Sequence, residues 1–400
     1  MRSEKKHRLL RDKFLFTILV LGIYVLGKRL PIYGIDLSAY AERAMDTETV
    51  LIQAISGDVY HRSVFALGIS PYMMSSILVQ MVVTFRSSEA KARISPKKKN
   101  RVSLALMLVF ALFQALLHVD ELSFAVTGPE LFWAEAVAVI EMITGAMVIL
   151  WLSEQNKKYG IGGQTALILI NILDGIAALI SEYELENLVA VIAVSLVIVV
   201  LLIFMENTEE RIPLQRISIH NIYADKNYLA VKLNPIGVMP VMFSTACFML
   251  PQLLVSGLNR LFPEHAGILW WQENLSLSEP LGVAVYIVIL YGLTIGFSRV
   301  FLNPSEITEQ YLKNGDSLVG IHAGRDTKRY LSGKITRISL LSATILSMCL
   351  SVPMAMRLNG MIDPSLAAIP TSVMMLTGIW SNLYREVQAV KDMDSYRPFI

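Results

Sequence analysis

The sequence predicts an all-α membrane protein with ten transmembrane helices. Hydrophobic residues make up 54% of the 400-residue chain and charged residues only 17%, and the mean hydropathy is +0.52. The apolar residues collect into runs of about 20, the length at which a helix crosses a bilayer. The charges are sorted by loop, basic loops alternating with acidic or neutral ones, which is how loops on the two sides of a membrane differ. This composition overrides the soluble multi-domain expectation for a chain of this length, and the net charge of +2 says little. Cys247 and Cys349 both lie inside apolar runs, so they read as buried thiols and not as a disulfide framework.

The first run follows Arg2, Lys5, Lys6, Arg8, Arg11 and Lys13. That order resembles a signal peptide, but Lys28-Arg29 follow without a small-residue cleavage site, so residues 14–30 read as a retained first span. The second run, 68–85, opens with Gly68 and Pro71. Pro removes a backbone donor and Gly costs helix stability, so an unbroken span tolerates the two together poorly. Backbone broken at membrane depth survives only where it is buried in protein or lines a cavity, so Phe65 to Met74 reads as the wall of a pathway. The remaining spans fall at 102–119, 131–153, 163–181, 187–205, 235–257, 280–301, 335–356 and 366–387. Leu188 to Met205 is the clearest, with no charge; 68–85 and 163–181 are the weakest, carrying Gly, Pro or Asp174.

Cytoplasmic loops carry the excess Lys and Arg. The N-terminus is basic, and Arg86, Lys91, Arg93, Lys97, Lys98, Lys99 and Arg101 crowd the loop after the second span. Lys157-Lys158 follow the fourth, Arg211, Arg216, Lys226 and Lys232 the sixth, and Lys313, Arg325, Lys328, Arg329 and Lys334 the eighth. The alternate loops hold Asp120, Glu121, Glu130, Glu182, Glu184, Glu186, Glu264 and Glu273. Both termini then lie in the cytoplasm, which requires an even number of spans.

Three connections are long. Segment 206–234 contains Ile217–Tyr223 and Asn227–Leu233, both alternating apolar and polar residues, and reads as a hairpin turning near Ala224-Asp225-Lys226. Segment 303–333 starts Asn303-Pro304-Ser305-Glu306, a helix-start pattern, and should hold a short helix through Lys313. Both are basic and large for a compact fold, which favours a partner-docking surface over solvated connectors. Segment 31–62 lies on the other side. Its mildly amphipathic stretch Val50–Gly57 is too short to span and must rest at the interface or fold back into a cavity.

Gly68-Ile69-Ser70-Pro71-Tyr72-Met73 is echoed by Gly237-Val238-Met239-Pro240-Val241-Met242. The first opens the second span and the second opens the seventh, the same place in two five-span halves, 1–181 and 182–400. Five is odd, so the halves run oppositely through the membrane, and matched broken segments in inverted halves point at a central pathway. Catalytic chemistry is not legible. The six histidines are scattered, no pair sits at metal-ligand spacing, no Walker loop is present, and no nucleophile has a base. Glu135, Glu141 and Asp174 are intramembrane acids and candidates for an ion relay. No basic residue lies mid-span to partner them, so helix-to-helix hydrogen bonding is the favoured reading.

Long motifs in order make the chain similar to the SecY family of protein-translocation channel subunits. Asp58–Tyr72 resembles the plug-to-second-span signature. Thr144–Gln155 with Gly160-Ile161-Gly162 resembles the fourth-to-fifth span turn. Glu210–Gln215 and Leu233–Pro240 resemble the sixth-to-seventh connection, and Phe301–Pro304 and Gly320–Gly324 the eighth-to-ninth. The resemblance implies an hourglass pore between two inverted five-helix halves, passively conducting unfolded secretory polypeptides, with no cofactor, metal or enzymatic activity and no direct contact with nucleic acid. Its apolar ring would be Ile69, Met73, Thr165, Leu169, Met242 and Met375. Its plug, at about 51–62, would include Leu51, Ile52, Ala54, Ile55, Ser56, Gly57 and Asp58, and a lateral gate would open between the second and seventh helices.

The implied partners are the lipid bilayer, small SecE/SecG-like membrane subunits and a cytoplasmic SecA-type ATPase. The motor would dock on Arg211, Arg216, His322, Arg325, Lys328 and Arg329 of the two basic loops. Several residues depart from the family. Its Gly-Ile-Arg-Pro-Gly tip is Gly320-Ile321-His322-Ala323-Gly324, its Gly-Asn-Gly is Gly162-Gly163-Gln164, and Thr165 is polar where a ring member should be apolar. With the short length, these departures resemble the accessory SecY paralogues of Gram-positive bacteria, associated with a dedicated motor and with glycosylated serine-rich adhesins. The chain would sit in the cytoplasmic membrane. The competing class is a secondary transporter using Glu141 or Asp174 as coupling group, which the family motifs disfavour.

Overall fold

Ten helices of 15 residues or more fall where the apolar runs lie. They belong to a computed structural model that describes residues 2–36, 62–84, 95–120, 122–183, 185–215, 227–262, 265–363 and 365–393. In the first half they are α1 (Arg2–Lys28), α2 (Ser70–Thr84), α3 (Pro96–Val119), α4 (Pro129–Tyr159) and α5 (Gln164–Glu182). In the second they are α6 (Leu185–Asn207), α7 (Met239–Leu261), α9 (Pro280–Leu302), α11 (Arg325–Leu358) and α12 (Ala368–Met393), with two shorter helices, α8 (Ala266–Asn274) and α10 (Pro304–Asn314). By length and composition, α3, α4, α6, α7, α9 and α11 are long and apolar enough to cross a membrane, and α5 is a shorter apolar helix. The proposed plug residues Leu51, Ile52, Ala54, Ile55, Ser56, Gly57 and Asp58 lie outside the described residues, as do Arg216 and the segment 217–226.

Local chemistry sets the helix ends. Ser95 accepts a hydrogen bond from the Lys98 N–H at 3.2 Å, with Pro96 at the first helical position of α3. Pro129 and Glu130 open α4 and Lys157 and Lys158 close it, which suits the helix dipole. The expected helix over 304–313 is present as α10, closed by Gly315 in the left-handed conformation. Asn303 caps it differently from the expected pattern: its side chain donates to Glu306 Oε2 at 3.0 Å and leaves the backbone amides alone.

The same pairings recur in the two halves. α1 packs on α4 and α5, α2 on α3, α3 on α4 and α4 on α5; correspondingly α6 packs on α11 and α12, α7 on α9, α9 on α11 and α11 on α12. The halves meet along α2–α7 and α3–α7 on one side and α5–α12 and α1–α12 on the other. Alanines 111, 115, 138 and 146 at the α3–α4 contact are fully buried and let those helices approach closely.

The α4–α5 turn is fixed by polar bonds. Asn156, buried, donates to the carbonyls of Ile161 and Gly163 at 2.9 and 3.0 Å and accepts from Thr17 of α1 at 2.9 Å.

One strand of the expected hairpin, within 227–233, is present and pairs with a strand at 209–215; the expected strand over 217–223 lies outside the described residues. β1 is Glu209–Gln215 and β2 is Tyr228–Lys232, antiparallel from Glu209 opposite Lys232 to Pro213 opposite Tyr228. Residues 209–215 form a strand because Ile212 and Leu214 pack, with Val231 and Leu229, onto Leu318, Leu331 and Ile338. β3 (Ser317–Leu318) joins from the other long connection, giving the order β2-β1-β3. The two basic connections are thus one sheet docked on α11, and Lys334 of α11 pairs with Glu210 of β1.

Arg325, Lys328 and Arg329 belong to the first turns of α11 and not to a loop. The helix starts early because Thr327 and Leu331 are buried under the sheet, so their turn has packing to stabilise it.

Truncating Ile212, 4% exposed, to Ala should cost about 2–4 kcal/mol of local stability. Limited proteolysis of the detergent-solubilised protein should then cut both basic connections faster together. Faster cleavage in 206–234 alone would mean that the two do not share a core.

Candidate functional site

The site begins at two glycines. Gly68 and Gly237 have φ of +56° and +71°, a region where a side chain on an L-residue is strained. Each reverses the chain just before a helix. α2 starts at Ser70 and α7 at Met239, so Pro71 and Pro240 fall in first turns. There the missing amide leaves no helical bond unmade. The expected break inside a span is therefore a helix start: α2 runs unbroken from Ser70 to Thr84. Gly378 of α12 faces Val238 so closely that an added Cβ would lie 2.1 Å from it.

This arrangement brings side chains from three helices together. Ile69 and Met73 at the head of α2, Met242 of α7 and Met375 of α12 share one apolar cluster and are 1–5% exposed. Leu169 of α5 packs against that cluster. Thr165 sits in the first turn of α5 with its hydroxyl donating to the Gly162 carbonyl at 2.6 Å. A hydroxyl meets its need locally before it can line an apolar surface.

Polar bonds frame the α2–α7 seam on the α3 side. Ser70 donates to the buried Gln114 at 3.2 Å. Beyond the seam, Arg260 of α7 donates to the Leu116 carbonyl of α3 at 2.8 Å and pairs with Asp120 at 2.9 Å.

Of the candidate acids, Asp174 meets a base, contrary to the expectation that none would. Lys28 Nζ lies 2.6 Å from Asp174 and 3.3 Å from Asn171 Oδ1, which also accepts from Tyr24 at 2.9 Å. The pair forms because α1 packs on α5, an adjacency that linear spacing does not reveal. Glu141 accepts the Tyr33 N–H at 2.9 Å.

The candidates for partner docking are accessible. His322, Arg325, Lys328 and Arg329 are exposed, while Arg211 pairs with Glu209 at 2.8 Å and lies over the Tyr228 ring at 4.7 Å. Sequence reasoning missed Glu206. It is 6% exposed, yet it accepts from Ser381 and, at 3.1 Å, from Arg385, both on α12. One turn on, Glu386 accepts the Gly162 N–H at 3.0 Å. The end of α12 is therefore tied to α6 and to the α4–α5 turn at once. The one signal in the sequence was an acid at the end of an otherwise uncharged span.

Residues 63–384, more than half of the chain, match the profile of the SecY family. The accessory Sec system protein translocase subunit SecY2 of Leuconostoc gelidum subsp. gasicomitatum is 28% identical over 411 residues, covering 97% of this chain and 96% of the relative. Its namesake in Streptococcus sanguinis is 29% identical over 400 residues, with 97% of each chain covered. Among solved structures, a protein-conducting channel shares the fold with a TM-score of 0.69 at 17% identity, over 96% of this chain and 93% of the other. Sec61 in the canine ribosome–channel complex from the endoplasmic reticulum shares it with a TM-score of 0.63 at 16% identity, over the same shares. The chain is a multi-pass membrane protein and belongs to the SecY family.

Proposed function

We propose that the chain is the channel subunit of a protein translocase, passively conducting unfolded secretory polypeptides, with no enzymatic chemistry of its own. The observation that carries this reading is that Ile69, Met73, Met242 and Met375, from both halves, are buried in one apolar cluster. An apolar constriction seals by dewetting, and unbranched, polarizable Met repacks around unlike chains. Thr165 and Leu169 complete the proposed ring, Leu51 to Asp58 the proposed plug, and the α2–α7 seam is the proposed lateral gate. The matched Gly-X-X-Pro starts and the recurring helix pairings support ten spans in two inverted halves around an hourglass pore.

The cytoplasmic sheet and the exposed His322, Arg325, Lys328 and Arg329 suit a SecA-type ATPase with an acidic docking face. Arg211 and Arg216 would flank that face, and small SecE/SecG-like subunits would complete the complex in the cytoplasmic membrane, with both termini inside. The relatives named as accessory Sec subunits favour an accessory system, exporting glycosylated serine-rich adhesins. A secondary transporter has less support: Asp174 is committed to Lys28 and Glu141 to a backbone N–H.

Three measurements test the reading. Single cysteines at Met73, Met242 and Met375 should crosslink to a stalled export substrate carrying one cysteine, while a cysteine at the exposed Val197 should not; silence at all three, with the stalled substrate verified, returns the question to the transporter. Met242→Asn or Met375→Asn should wet the constriction and raise resting ion conductance in planar bilayers, and an intact ion seal counts against the ring. Reversing charge at Arg325, Lys328 and Arg329 together should weaken motor binding about ten-fold at low salt and less at high salt. Unchanged binding in both rejects the docking face.

A further inference from the structure

Helix α8, Ala266–Asn274, has no use in the channel reading. None of its residues is buried, although it lies between the apolar helices α7 and α9. Trp270 and Trp271 are 48% and 47% exposed, and their rings stand edge to face at 5.3 Å. Leu269 is exposed beside them, and so are Gln272 and Glu273. The apolar surface does not begin at α8. Leu254, Leu258, Leu261 and Phe262 along α7 are all exposed, so exposed apolar residues occur both on α7 and on the short helix.

The segment after α8 is anchored. Leu275 and Leu277 are 4% and 2% exposed in the central cluster. Gln252 of α7 donates to the Leu275 carbonyl at 3.0 Å, and Arg357 of α11 donates to the Leu277 carbonyl at 3.3 Å. The helix is thus held beside the end of α7, with its indoles half exposed.

We propose that α8 is an interfacial helix, seated in the headgroup region of the leaflet opposite the N-terminus, which sets the membrane depth of the gate helix α7. The inference rests on the reading of α7 and α9 as membrane spans. Lipid is the occupant that fits. The helix leaves one span after a few residues and returns to the next as quickly, so it lies at the edge of the hydrocarbon. Its exposed apolar residues accompany those of α7. An indole pairs an apolar ring with an N–H that needs a polar partner, and the headgroup layer supplies both environments. Phe132 and Trp133, at the start of α4, repeat the pattern on the other half, 68% and 70% exposed.

The experiment uses the full chain in vesicles of phosphatidylcholine and phosphatidylglycerol, with Trp133, Trp151 and Trp380 replaced by Phe so that Trp270 and Trp271 alone fluoresce. Bromines are carried on the acyl chains either near the headgroup or near the methyl end. An interfacial helix sinks its apolar face about 5–10 Å, so shallow bromines should quench about two-fold more than deep ones, and iodide in the water only weakly. Quenching by iodide without bromine quenching overturns the proposal in favour of a solvated helix. Stronger quenching by deep bromines overturns it in favour of a re-entrant one. Protection from both overturns it in favour of a protein cover. A parallel chain with all five tryptophans replaced and Val197→Trp in the middle of α6 should respond to deep bromines. If it does while the α8 signal is absent, the spans stand and only the interfacial helix falls; if it does not, the span reading falls and takes the proposal with it.

Discussion

The structure depends on one contact, the seam between α2 and α7. Backbone inside a membrane must satisfy its own hydrogen bonds, so a chain that changes direction there needs a turn that wastes none. Gly68 and Gly237 supply it twice, each turning through positive φ into a helix whose first turn holds a proline. That geometry delivers Ile69, Met73 and Met242 to the same apolar cluster, and Gly378 lets α12 close on it with Met375. Without those starts the two halves would have no common surface on this side except the α3–α7 contact.

The bonds that fix the halves are of a different kind from those that join them. Within and behind the halves, polar knots are specific: Asn156 with Thr17 and the α4–α5 turn, Lys28 with Asp174, Glu206 with Ser381 and Arg385. Each has partners that leave a buried polar group unsatisfied when separated, which is costly. The seam itself is mostly dispersion and apolar contact, which is non-directional and can re-form around a different surface. Arg260, with Asp120 and the Leu116 carbonyl, is its directional bond to α3, and that bond lies at the far end of α7. A structure held by specific bonds at its edges and by adaptable contacts at its centre opens most easily at the centre.

The sheet side shows the same division. Two connections that the sequence presents as separate basic loops are one sheet, because β3 pairs with β1 and the shared apolar face covers Leu331 and Ile338 of α11. Any partner on this face meets a single rigid body.

Much of this was legible in the residues. Run length and charge alternation located every long helix to within a few residues at most ends, because membrane crossing constrains length and composition directly. The echo between Gly68–Met73 and Gly237–Met242 pointed at the residues that meet, and α10 was legible from Asn303-Pro304. The rest required tertiary contact. Residues 209–215 form a strand because Ile212 is buried against α11, a contact that local alternation does not reveal. Lys28 finds Asp174 because α1 and α5 pack, and Glu206 is a clamp because Arg385 arrives from a helix 179 positions away. Sequence alone determined what must be in the membrane, since that depends on transfer energies summed along the chain. Only the folded structure decided which polar groups neutralise one another, since that depends on which helices touch.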